Sequence, residues 1–431
     1  MITENLLKQI IIEQKELIKL SPEHLEREVI KKASQFYNLK HIVVITGHRR
    51  AGKSVFLSQI INKYYGIDEV YYLNLDDERL ASLKSEDMNK VMEVFHFLFG
   101  SKKVIFFDEI QELEGWERFV SRLYNQGYKI YITGSNAKLL SSELSSLLTG
   151  RYIELEIFPF SFREFLIYNK FPIDAIEKEK TYYKTEIKAQ IRRLFEEYLK
   201  IGGFPEFVKY HEPSILRTLF SDVITKDVVN RYRVKEIRTI KKIAHFLLTN
   251  CSNEFSYNRI KNIYSLGSVH TVKNYIEYLT STFMFFELSR FSYSLKEIHT
   301  KIKKIYTIDN GFINTVGFSS SQDIGKLYEN LVFVELKRKG YDVYYYKNKN
   351  GREIDFVVKE NRNIKEAIQV CFNVEDELTL KREISSLIYG LKELGLKRGL
   401  IITSNMEEKK NIKGYEIEFI PIWKWLLNLN D

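Results

Sequence analysis

The stretch HIVVITGHRRAGKSVFLSQIINKYY, residues 41–65, decides how the rest of the chain is read. Its first six residues form a short apolar run rich in β-branched side chains, the pattern of a strand buried on both faces. Gly47 to Ser54 then follow the spacing G-x-x-x-x-G-K-[ST], and an apolar-periodic helix runs out behind them. Strand, glycine turn and helix is the context in which that spacing cradles phosphate. Glycines let backbone N–H groups curl around phosphate oxygens, and the helix N-terminus adds its dipole. The candidate nucleotide cradle is therefore Gly47, His48, Arg49, Arg50, Ala51, Gly52, Lys53, Ser54 and Val55. Lys53 is expected to reach the β- and γ-phosphates and Ser54 to ligate Mg²⁺. ATP is the expected nucleotide, although no base-reading motif is legible. Arg49 and Arg50 either face the phosphates or pack outward.

The strand signature recurs at VYYLNL (70–75), KVIFFD (103–108) and KIYITG (129–134), with helical stretches at 54–65, 85–99 and 114–126 between them. Alternation of this kind predicts an α/β fold with a parallel sheet in three layers. VIFFDEI (104–110) ends a buried strand in two acids. Asp108 is placed to hold Mg²⁺ through water, and Glu109 to orient or deprotonate an attacking water. At the end of the next strand, Ser135 or Asn136 would stand beside the γ-phosphate and position that water; the same residues also suit a polar turn capping a helix.

The chain has 431 residues and a mass of 51.2 kDa, enough for two to four domains. With 6 Pro and 20 Gly it is neither disordered nor fibrous. Two cysteines, Cys251 and Cys371, make no disulfide framework and lack metal-ligand spacing. Charges interrupt the N-terminal apolar stretch, and no apolar run nears the ~18 residues that span a bilayer, so a cytoplasmic protein is expected. Residues 1–35 read as an N-terminal helical segment, 36–158 as the nucleotide-binding core and 159–230 as a helical lid with a turn at IGGFPEF (201–207).

The net charge of +9 is unevenly spread. Residues 231–305 carry 14 Lys/Arg against 5 Asp/Glu, and the rest of the chain balances to zero. FSYNRIKNIYSLGSVHTVKNYIEYL (255–279) has the outline of a helix-turn-helix, broken at Gly267 and restarted with Ser268 as N-cap. FMFFELSRF and KIYTID then supply two strands of a wing. His270, Thr271, Lys273 and Asn274 open the second helix, where base edges come within reach; Arg231, Arg233, Lys235, Arg238, Lys241 and Lys242 could neutralise phosphates. Double-stranded DNA is thus the expected partner of 231–305, without sequence specificity. A protein contact is the alternative for the same module.

GHRRAGKS, FFDEIQ, ITGSN with LLTGR (147–151), FPFSFREFL (158–166) and the later GGFP together resemble a family of prokaryotic AAA-type ATPases. These carry an AAA core followed by a C-terminal domain of unknown function, and the resemblance spans nearly the full chain. It implies an arginine that contacts a neighbouring subunit's γ-phosphate in a homo-oligomer, for which Arg151 is the candidate. It also implies a winged helix at 231–318 and, at 319–431, a fold like that of PD-(D/E)xK nucleases. There Glu329 and Asp355 match metal-binding carboxylates, but Gln369 stands in place of a charged ligand and Cys371 in place of the lysine that activates water. A nuclease fold without efficient nuclease chemistry follows. Glu353, beside Asp355, is read as a solvent-facing strand residue. The expected activity is Mg²⁺-dependent ATP hydrolysis that drives a conformational change; a slow nucleotide switch on DNA or protein, or an active nuclease, are the alternatives.

Overall fold

The computed structural model describes residues 2–19, 24–136, 148, 150–318, 323–361 and 363–429. The chain divides into two compact units, and the first comprises essentially residues 1–158. Its centre is a five-stranded sheet of β1 (Ile42–Gly47), β2 (Val70–Asn74), β3 (Val104–Asp108), β4 (Lys129–Gly134) and β5 (Tyr152–Ile157) in the order β2-β3-β4-β1-β5. Every pairing is parallel. Alternation along the strands divides the core: Ile42, Val44, Phe107 and Ile132 pack to one side with Leu7, Val91 and Phe119, while Val43, Ile45, Phe106 and Tyr131 pack to the other with Phe56 and Ile60. Each fully buried side chain of this size contributes about 1.5–3 kcal/mol relative to exposure.

The N-terminal helical segment contains two helices, Glu4–Lys19 and Ile30–Phe36. β5 was not legible as a strand, because Glu154 and Glu156 break its apolar run. It is an edge strand, where alternation of Ile153, Leu155 and Ile157 with polar residues suffices.

The second unit holds most of residues 159–431. It opens with helices, among them Thr185–Ile201 and Pro213–Asp222. The turn between them is anchored by Asp309, whose Oδ2 accepts from Gly203 N at 2.7 Å and whose Oδ1 accepts from Gly311 N at 2.8 Å. Gly202 sits at φ +74°, and a Cβ there would lie 1.7 Å from Asp309 Oδ1. Next come helix Ile237–Thr249, β6 (Glu254–Phe255), helices Tyr257–Ile263 and Val269–Thr280, β7 (Phe285–Leu288) and β8 (Lys303–Thr307). The three strands form an antiparallel sheet in the order β6-β8-β7. A helix, Leu295–Thr300, lies in the β7–β8 connection, where the sequence predicts only the two strands of a wing.

The C-terminal part starts on helix Ile324–Arg338 and forms a six-stranded mixed sheet: β9 (Asp342–Lys347), β10 (Glu353–Glu360), β11 (Asn363–Cys371), β12 (Arg398–Thr403), β13 (Glu408–Ile412) and β14 (Tyr415–Pro421), in the order β13-β14-β12-β11-β10-β9. Helix Glu377–Leu394 covers one face through Leu387 and Leu391. Tyr306 and Phe333 stack at 4.2 Å, with Phe356 of β10 beside them. SSSQD (319–323) reads as a linker by composition, and its residues 319–322 lie outside the described residues. No described helix is long and apolar enough to cross a membrane.

Candidate functional site

Parallel strands bring the C-terminal ends of β1, β3 and β4 to one edge of the sheet. The loop after β1 needs its glycines there. Gly47 has φ +139°, and a Cβ on it would come within 2.2 Å of Ile157 O; Gly52 has φ +101° and starts the helix Lys53–Tyr64. Arg50 also holds a left-handed conformation, φ 61°, with its side chain exposed, while Arg49 is half-buried. Ala51 N donates to His48 O at 3.2 Å, closing the turn, and His48 and Ala51 are buried. Beneath the loop lies Arg27, 3% exposed, which donates to Ala51 O at 2.9 Å and to Phe158 O at 2.6 Å. No sequence motif marks Arg27; it sits in an N-terminal segment that reads only as amphipathic.

Lys53 is buried, and its Nζ lies 3.4 Å from both His48 O and Glu109 Oε1. Asp108, at the end of β3, is fully buried and accepts hydrogen bonds from Thr133 and, at 3.3 Å, from Tyr72 OH. Burial and the neighbouring Glu109 push its carboxyl up, against the pull of Thr133, Ser54 and Lys53. Glu109 takes a left-handed φ of 50°, held by its N–H to Thr133 Oγ1 at 2.8 Å. Its side chain stays 18% exposed, so water can reach it. Burial would raise its pKa, but Lys53, Gln111 and Arg49 outweigh that and hold it low. Glu109 is therefore ionised and Asp108 is the more reluctant charge. Ser135 and Asn136 follow β4 and are buried. Ser135 Oγ finds no hydrogen-bond partner among the described residues.

Lys53, Ser54, Asp108, Glu109 and Ser135 thus converge at one sheet edge. The Ser54 hydroxyl and Asp108 carboxylate, already joined by a hydrogen bond, are the hard oxygen donors that Mg²⁺ takes beside a phosphate. Arg151 lies elsewhere. It immediately precedes β5, whose Tyr152 pairs with Ile42 at the start of β1, five residues and roughly 17 Å from Gly47. Its guanidinium donates to Asn125 Oδ1 at 3.4 Å and lies over the Tyr124 ring. It cannot reach the phosphate loop of its own chain.

In the second unit, Ser268 Oγ accepts from Thr271 N at 3.1 Å, capping helix Val269–Thr280. His270 and Lys273 are exposed on it, as are Arg233, Lys235, Arg238 and Lys242 upstream; Thr271, Asn274, Arg231 and Lys241 are half-buried. Glu329 and Asp355 come together, and Gln369 and Cys371 follow on β11. Gln369 donates to Glu383 Oε2 at 2.7 Å, and burial pushes the Cys371 thiol up to about 11. Glu353 corrects its sequence reading. It shares strand parity with Asp355, so both point to one face, and it ion-pairs with Lys304 and Lys347 instead of facing solvent.

Residues 39–166 match the family model described as AAA domain. Residues 192–322 and 324–425 each match a domain of unknown function, DUF8612 and DUF4143. An uncharacterized protein of Methanocaldococcus jannaschii is 36% identical over 90% of this chain and 88% of its own length. An uncharacterized protein of Haemophilus influenzae is 31% identical over 90% of this chain and 95% of its own. Among solved structures, the Aeropyrum pernix ORC1 protein in complex with DNA shares 13% identity, covering 69% of this chain and 94% of that one, with a TM-score of 0.33.

Proposed function

We propose that this chain, which belongs to one family with the uncharacterized proteins of Methanocaldococcus jannaschii and Haemophilus influenzae and carries an AAA domain at 39–166, is a Mg²⁺-dependent ATPase whose nucleotide state drives a conformational change on DNA. The observation that carries the reading is the grouping of Lys53, Asp108, Glu109 and Ser135 around a glycine-built loop at one edge of a 2-3-4-1-5 parallel sheet. Lys53 binds the β- and γ-phosphates, and Ser54 with Asp108 holds Mg²⁺, which neutralises phosphate charge. Glu109, ionised and water-accessible, orients the attacking water, with Ser135 or Asn136 beside it. Arg151 serves a neighbouring copy in a homo-oligomer, the use its distance from its own loop leaves open. The helix–strand–helix–helix–strand–strand order with sheet order β6-β8-β7 supports a winged helix, and its exposed cations support contact with duplex phosphates. The C-terminal sheet with Glu329 and Asp355 supports a nuclease-like fold whose chemistry is degenerate. The setting is cytoplasmic.

One observation favours slow turnover, as in a nucleotide switch: Glu109 is engaged by Lys53 and by Gln111 and must release both to act on water. Steady-state hydrolysis of Mg·ATP, with and without double-stranded DNA and with Lys53→Ala as blank, tests the reading. Turnover stimulated by DNA is expected. Turnover equal in Lys53→Ala would remove the site from the chemistry, and slow turnover indifferent to DNA would move the assignment to a switch with a protein partner.

A further inference from the structure

A cleft of about 850 Å³ opens in the second unit where β8 meets the C-terminal sheet. At its floor stands Lys304 of β8, 3% exposed. Its Nζ lies 2.6 Å from Glu353 Oε1, 2.9 Å from Glu329 Oε1 and 3.6 Å from Asp355 Oδ1. Each carboxylate has a second partner, Glu353 and Asp355 through their other oxygen and Glu329 through the same one. Glu353 Oε2 meets Lys347 at 3.2 Å, Asp355 Oδ2 accepts Val370 N at 2.9 Å, and Glu329 Oε1 also accepts from Tyr306 OH at 2.6 Å. Carboxylates held from behind so that one oxygen each converges on a point is how proteins orient ligands around a metal ion. A second observation points the same way: Gln369, 4% exposed, lines the same cleft, and its Oε1 has no hydrogen-bond partner among the described residues.

The point of convergence is filled from within the chain. An ammonium has three N–H donors and one positive charge, and here it faces three acids. Burial opposes that charge, but Glu329, Asp355 and Glu353 more than reverse the effect and keep Lys304 protonated. Among the described residues no three His, Cys, Asp or Glu side chains form a group that could hold a metal. We propose that Lys304 is a tethered cation standing where a nuclease of this fold would hold its divalent metal, so that β8 closes the C-terminal carboxylate site to metal. The loss of metal chemistry then has a cause beyond Gln369 and Cys371: the residues present do not fit a metal while Lys304 is seated. The inference rests on the nuclease-like reading of the C-terminal fold, and is independent of the nucleotide site.

Mn²⁺ binding to the full chain without nucleotide, followed by electron paramagnetic resonance, tests it. Lys304→Ala is expected to take up one Mn²⁺ more than the wild type, to melt higher with Mn²⁺ than without, and to lose both properties in Lys304→Ala/Asp355→Ala. Because Lys304→Ala leaves one buried and two half-buried acids facing one another, the charge-balanced Lys304→Met/Glu353→Gln is read in parallel. Absence of Mn²⁺ uptake in both variants, folded or refolded with Mn²⁺ present, overturns the proposal. So does Mn²⁺ binding by the wild type that Asp355→Ala abolishes. DNA nicking by a variant that binds Mn²⁺ would support the cation site while removing the degenerate reading of the fold; uptake without nicking supports both.

Discussion

Lys53 and Glu109 make opposite demands on one contact. In the proposed reaction the ammonium turns to phosphate while the carboxylate turns to water, and at 3.4 Å they hold each other. Separating binding from turnover is therefore the test of their roles. Lys53→Ala is expected to lose nucleotide affinity, and Glu109→Gln to retain it while hydrolysis falls by about 10²-fold or more, measured by equilibrium binding and single-turnover assays. Equal turnover in Glu109→Gln would remove it from the mechanism. Arg27 is the residue that sequence reading missed. It donates to Ala51 O and Phe158 O from a buried position. Truncating it strands buried carbonyls and uncouples the loop from its support. Arg27→Ala is expected to destabilise the chain by about 2–4 kcal/mol in urea denaturation and to weaken nucleotide binding. Unchanged nucleotide affinity at unchanged stability would make it a bystander.

Among the elements, the turn at Gly202-Gly203 shows how far local sequence can be read. GGFP marks a turn, but only the structure shows that Asp309, a hundred residues on, anchors it by accepting from Gly203 N while its other oxygen caps its own helix at Gly311 N. A Cβ at position 202 meets that carboxylate at 1.7 Å with φ already positive, so Gly202→Ala is expected to lower thermal stability sharply, by several kcal/mol. Asp309 adds a pH dependence. Burial pushes its carboxyl up to about 7, well above its unfolded value near 3.8, despite the two N–H donors. Between these values the folded chain binds the extra proton, so Asp309 lowers stability as pH rises from about 4 to 7, by on the order of a few kcal/mol. Asp309→Asn should flatten that part of the stability–pH curve; an unchanged slope would assign the titration elsewhere. The same logic explains what was legible. β1 to β4 are continuous apolar runs because both their faces are buried, and the phosphate loop has fixed spacing. β5, Glu353 and Lys304 depend on pairing, parity and a neighbouring sheet, which single segments do not announce.

For the whole molecule, the distribution of charge decides the partner. The excess of +9 lies in residues 231–305, and the remainder is balanced, so attraction to a polyanion is localised instead of being a property of the entire surface. Arg233, Lys235, Arg238, Lys242 and Lys273 are exposed there. If they meet duplex phosphates, each contact releases condensed counterions, and log K should fall with log salt at a slope near −0.9 per phosphate neutralised. Four or five contacts predict a slope of roughly −4, hence an affinity loss of a few hundred-fold between 50 and 200 mM salt. Reversing Arg233, Lys235 and Arg238 to Glu should flatten that slope while leaving Mg·ATP hydrolysis without DNA unchanged, because these residues belong to the second unit and the nucleotide residues to the first. Fluorescence anisotropy with duplex DNA of unrelated sequences, across salt and with and without ATP, reads all three quantities. Similar slopes on every sequence fit a backbone contact, and an ATP-dependent affinity links the two units. No measurable affinity at physiological salt would assign residues 231–318 to a protein partner and leave the segregated charge as a solvated face.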